Sequence, residues 1–146
     1  MLLQNSTEVL FSLCVKLTFD TGETKVVTVN TDDYLLLKFN YDGSKYSRAC
    51  RVVDIVPVML TTQPISYTAT LVVDCSTKFQ AERLRVAAKD ILNIKKVSKD
   101  YVDSLAPEYT ITEDMFDGDY IPATPSEIYM IPGINAGGVE FARILR

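Results

Sequence analysis

TKVVTVNTDDYLLLKFNYDGSKYSRACRVVDIVPV, residues 24–58, is the stretch whose reading decides the fold. Leu35, Leu37, Phe39 and Tyr41 alternate with Leu36, Lys38 and Asn40, the two-residue period of a strand with one buried face. Asp42-Gly43 follows, a dipeptide that readily adopts the positive φ angles of a type I′ turn. The chain returns through Tyr46, Ala49, Val52, Val53 and Ile55 to Pro57, which cannot donate to a ladder and tends to end one. The stretch predicts a β-hairpin.

Upstream, Phe11, Leu13, Val15, Leu17 and Phe19 alternate with Ser12, Cys14, Lys16 and Thr18, so a long half-buried strand is expected. Asp20-Thr21-Gly22-Glu23 is a turn, and Lys25–Val29 is a second strand rich in β-branched residues. Downstream, Ser66–Cys75 alternates Tyr67, Ala69, Leu71 and Val73 with Thr68, Thr70 and Val72, predicting a fifth strand. Residues 78–97 leave two readings open. Leu84, Ala87, Ala88 and Ile91 fall on one helical face, which suggests a short helix near 78–92. Leu84 and Val86 also alternate with Arg83 and Arg85, and the β-rich surroundings favour two short strands.

After Lys99 the composition changes. The last 47 residues hold four of the six prolines and four of the six glycines, with apolar side chains as isolated anchors. The expected organisation is a loose lead over 1–7, a mainly β domain over 8–99 built as an antiparallel small barrel or sandwich, and an extended, largely irregular C-terminal arm over 100–146.

The 146 residues suit one domain that needs no disulfide or structural metal. Cys14, Cys50 and Cys75, odd in number and lacking a CxxC pair, read as free buried thiols of a reducing compartment. The net charge of −4 and pI of about 4.8 argue against a general nucleic-acid binder. No stretch approaches the ~20 apolar residues of a membrane span. Histidine is absent, which removes the Ser-His and Cys-His nucleophile systems.

No motif calls for catalysis, a cofactor or a metal. The acidic run of Glu113, Asp114, Asp117 and Asp119 matches no EF-hand pattern and reads as a solvated loop. Adjacent Asp32 and Asp33 would point to opposite faces of a strand and read as a polar corner. Gly133, Gly137 and Gly138 lack the Lys-Ser/Thr of a phosphate loop and read as a bend. A charge asymmetry remains: Ser76–Lys99 carries a net +5 and Asp100–Arg146 a net −7. Arg83, Arg85 and Lys89 could therefore receive an acidic neighbour, with charge complementarity fixing orientation. They could instead contact single-stranded nucleic acid, although no aromatics for base stacking are interleaved with them. Tyr120, Ile121, Tyr129, Ile131 and Ile134 are the arm's candidate anchors for a subunit interface.

The hairpin segment NYDGSKYSRACRVVDIVPV, residues 40–58, resembles the strand-turn-strand core of SH3-like small barrels. A compact β domain with a Pro/Gly-broken arm and no histidine is also similar to virion structural proteins of tailed bacteriophages, such as capsid decoration proteins, head-tail connectors and tail parts. That resemblance implies a non-enzymatic assembly subunit, made in the host cytoplasm and housed in the virion. Its arm would contact other virion proteins or copies of itself, with no membrane partner and no cofactor. The alternative is a nucleic-acid-binding small barrel acting through residues 78–99. An enzyme with a carboxylate-only site is the weakest reading.

Overall fold

The computed structural model describes residues 10–58, 64–76, 81–105, 111–112, 114–117 and 123–132. Among the described residues eight strands lie in two antiparallel sheets: β1 (Phe11–Phe19), β2 (Thr24–Val29), β3 (Tyr34–Tyr41), β4 (Ser44–Val56), β5 (Thr70–Ser76), β6 (Ala81–Ala87), β7 (Ile91–Val97) and β8 (Ala123–Pro132). The smaller sheet has the order β2-β1-β8 and the larger β6-β5-β4-β3-β7. The protein is mainly β and sandwich-like, with no closed barrel among the described residues.

The period-two face of β1 points inward as expected, with Phe11, Leu13, Val15 and Leu17 all buried. They share one apolar core with Val27 and Val29 of β2, Leu35, Leu37 and Phe39 of β3, Cys50 and Val52 of β4, and Leu71, Val73 and Cys75 of β5. The expected hairpin is β3–β4, paired from Tyr34↔Arg51 to Tyr41↔Ser44. Its turn has positive φ at Asp42 (52°) and Gly43 (82°), the I′ pattern. Nothing lies within 4 Å of where a Cβ on Gly43 would sit, so backbone angle and not space favours glycine there.

The larger sheet is strongly curled. Its edge strands β6 and β7 are joined only by a 3₁₀ turn, Ala88–Asp90, although three strands lie between them in the sheet. Four inter-strand steps span about 19 Å in a flat sheet, whereas so short a connection reaches no more than about 15 Å. The sheet bends until its edges approach, and the 3₁₀ turn crosses the end of the core. There the buried Ala88 donates its N–H to the Ala69 carbonyl at 2.7 Å. Bulges aid the bend. One leaves Val53 unopposed between β4 and β5, and it turns Ile55 inward where strict alternation from Val52 would turn it out.

The structure decides two open alternatives and corrects two expectations. Of the two readings left open for residues 78–97, the described part, 81–97, takes the favoured one, two strands split by the 3₁₀ turn: β6 pairs with β5 along its whole length, and tertiary pairing overrides helix propensity. The fifth strand begins at Thr70, because Ile65–Thr68 forms a single helical turn, α1, after Pro64. Its Thr68 hydroxyl donates to the Val58 carbonyl at 2.6 Å. Of the barrel and the sandwich expected, the sandwich forms around the SH3-like hairpin, since among the described residues each sheet keeps its edges.

The second correction concerns the arm and the domain boundary at residue 99. β8 is a full strand of the smaller sheet, paired with β1 from Phe11↔Pro132 to Phe19↔Ala123, and Met130 is buried in the shared core. Proline is tolerated because β8 is an edge strand, and Pro125 sits at a bulge where Ser126 is the extra residue. The Ser126 hydroxyl donates to the Lys16 carbonyl at 3.3 Å and accepts from Thr18 at 2.9 Å. Before β8, the helical turns α2 (Lys99–Ser104) and α3 (Asp114–Asp117) lie over the outer face of the larger sheet. Phe116 packs there on Leu36 and Ala49, flanked by Val97, Val102, Leu105, Ile111 and Met115. Tyr120, Ile121 and Ile134, like the lead over 1–7, fall outside the described residues.

Two measurements follow from this core. Leu17→Ala removes a fully buried side chain and should cost roughly 2–5 kcal/mol in urea unfolding, and a midpoint shift within error would mean that the register of β1 is misassigned. A chain ending at residue 122 loses β8 and leaves the smaller sheet a two-stranded hairpin, which is marginal in water. Its thermal unfolding should become broad and shift down by many degrees, and an unchanged transition would place β8 outside the cooperative core.

Candidate interaction surfaces

The outer face of the smaller sheet is assembled by register. Ser12 lies opposite Ile131, Cys14 lies between Thr28 and Tyr129, and Lys16 lies between Val26 and Glu127. Two of the expected interface residues, Tyr129 and Ile131, are therefore neighbours on one exposed sheet face. Ile131 is 42% exposed and Val26 48%, and Leu10, which leads into β1, is 42% exposed. Cys14 is buried although it belongs to the outward face, with the Thr28 hydroxyl 3.6 Å from its sulfur. Partial desolvation pushes the Tyr129 hydroxyl above its ordinary range, and Cys14 and Glu127 add to the shift. The face thus carries apolar side chains around one cation, Lys16, and one anion, Glu127.

The basic segment does not present its cations as one surface. Arg83 makes a bidentate pair with Asp74, its cross-strand partner, at 2.8 and 3.1 Å. Arg51 joins this row at 3.7 Å from Asp74 and 2.6 Å from Asp32. Lys96 pairs with Asp33 at 3.1 Å and Lys99 with Asp103 at 2.8 Å, while Lys95 donates to the Met115 carbonyl at 3.4 Å. Arg85 is exposed on β6 and Lys89 is exposed in the 3₁₀ turn. Asp32 and Asp33 do not converge as an acid–base pair. They form a corner, with Asp32 at φ 74° donating its N–H to the Val52 carbonyl and Asp33 accepting from the Asn30 N–H.

In the acidic run, Asp114–Asp117 form the turn that buries Phe116, while Glu113 and Asp119 lie outside the described residues, as do Gly133, Gly137 and Gly138. Among the described residues no group of three acidic or thiol side chains is placed to hold a metal ion. No helix of the described residues is long and apolar enough to cross a membrane.

The sequence reading misses an aromatic cluster at the end of the β3–β4 hairpin. Phe39 lies 5.8 Å from Tyr46, and Tyr41 lies 6.3 Å from Tyr46, between ring centroids, with the Arg48 guanidinium 5.0 Å above the Tyr46 ring. The signal was available, since Tyr46 and Arg48 share the parity that puts them on the face of Phe39. Comparison of the chain with protein-family models, with curated proteins and with solved structures finds no match.

The Asp74 row yields a pH prediction. The hydrogen bonds from Arg83 hold the Asp74 carboxyl below the ordinary carboxylate range. A depressed folded value stabilises the protein above the unfolded value of about 4, and that stability is lost as pH falls through the folded value. Asp74→Asn should therefore lower the urea midpoint at pH 7 slightly and leave it nearer to the unsubstituted protein's at pH 3. An equal deficit at both pH values would show that the pair contributes nothing.

Proposed function

We propose that the protein is a non-enzymatic assembly subunit that associates with a second copy of itself through the outer face of its smaller sheet. One observation carries this reading. The outer face of the larger sheet is covered by α2, α3 and Phe116, whereas the outer face of the smaller sheet leaves Val26, Tyr129 and Ile131 in view. Apolar side chains gathered on one sheet face are characteristic of contact surfaces. Lys16 and Glu127 lie side by side on that face, so a twofold axis through it brings the cation of each copy to the anion of the other.

The finer reading is a structural component of a tailed-bacteriophage particle, and its support is the resemblance drawn from the sequence. In that setting other virion proteins are further partners, and Arg85 and Lys89 are the cations offered to an acidic neighbour. The nucleic-acid alternative loses ground because Arg83, Lys96 and Lys99 are paired with carboxylates of their own chain.

Sedimentation velocity over a concentration series tests the assembly. The protein should associate reversibly, and Ile131→Asp or Val26→Asp should return it to monomer with the urea midpoint that the unsubstituted protein shows at concentrations where it is dissociated, because both side chains face solvent. A protein that stays monomeric throughout, or one whose association survives both substitutions, overturns the assignment of this face. Detection by mass spectrometry in purified particles, and not only in the soluble fraction, tests the finer reading.

A further inference from the structure

Cys50 and Cys75 stand opposite one another as register partners of β4 and β5. Both point into the shared core, at 1% and 0% exposure, and their sulfurs are 2.9 Å apart. Directly opposed residues of an antiparallel pair have Cα atoms about 4.5–5.5 Å apart, inside the range that a disulfide bridges without backbone movement. Cys14 cannot compete for either sulfur, because it lies on the outward face of the other sheet beneath Tyr129 and beside Thr28.

We propose that Cys50 and Cys75 are a redox-responsive dithiol, closing to a cross-strand disulfide when the protein meets a low-molecular-weight disulfide oxidant. In the first step the thiolate of one cysteine attacks a sulfur of the oxidant, giving a mixed disulfide and releasing one small thiol. The second cysteine, as thiolate, then displaces the other small thiol. The protein loses two protons and two electrons, one S–S bond forms and one breaks, and the oxidant leaves as two thiols. In a reducing cytoplasm the pair stays as two thiols, and in oxidising surroundings it closes.

Burial sets the rate. An oxidant reaches these sulfurs only when the β4–β5 ladder opens locally, and the bulge at Val53 is a weak point of that ladder three residues from Cys50. Burial also pushes the Cys50 thiol upward, so the closed state holds little thiolate. Closure is therefore slow in the native state and faster where local opening is promoted. Once formed, the bond ties the centre of the larger sheet together across the 24 residues of chain between the two cysteines, 51–74.

The test incubates the full chain with oxidised glutathione, with and without urea below the unfolding transition, then alkylates it in denaturant and maps the peptides. The expected product has the Cys50 and Cys75 peptides linked and Cys14 alkylated, forms faster with urea, and melts roughly 5–10 °C higher than the reduced protein. Cys14→Ser should retain both the link and the shift, and Cys75→Ala should lose both. The mapping on the unsubstituted chain decides the question even if Cys75→Ala folds poorly. Three alkylated cysteines after oxidation in urea, or a modification confined to Cys14, overturns the proposal.

Discussion

Everything in this fold depends on the register between β1 and its two neighbours. β1 pairs with β2 on one side and β8 on the other, and its inward side chains, Leu13, Val15 and Leu17, fill the space between the sheets. A slip of one residue would turn Cys14 and Lys16 into the core and the leucines into water. Burying Lys16 without a partner would be far more costly than any gain elsewhere on that strand. The uninterrupted alternation of β1 excludes that slip, and the bulge at Ser126 lets a proline-bearing β8 follow without breaking the match.

Much of this architecture is legible in the sequence. β1, β2 and the β3–β4 hairpin announce themselves because one face is apolar, the other polar, and the turn residues suit the turn. β8 was hidden because Tyr129 and Ile131 are as apolar as Ile128 and Met130, so the alternation cancels, and prolines stand near both ends. β6 was ambiguous because AERLRVA contains good helix formers, and only the β5 partner strand settles its state. The outer cluster around Phe116 was invisible for another reason: its side chains come from four separated segments, and the local sequence EDMFDGDY reads as solvated.

The candidate surfaces were legible in part. Composition picks out Tyr129 and Ile131 as large apolar side chains, and the structure sets them side by side, on a core sheet and not on a free arm. The sequence shows the charges of Arg83 and Lys96 but not their partners, because Asp74 and Asp33 become neighbours only through strand pairing. Net charge along a segment says little about the field at a surface when cross-strand carboxylates sit beside each cation.

The pairing of β1 with β8 also sets an order of events during synthesis. The larger sheet, β3–β7, is built from nearly contiguous chain, whereas β1 must wait for a partner that begins 104 residues after Phe19. At ribosomal speeds of about 5–20 residues per second, that wait lasts roughly 5–20 s. Throughout it, β1 and β2 are a two-stranded hairpin with one edge of β1 unpaired, a state open to wrong partners. The nascent chain is thus most exposed to misassociation late in translation, and a chaperone that shields apolar strands would act in that interval.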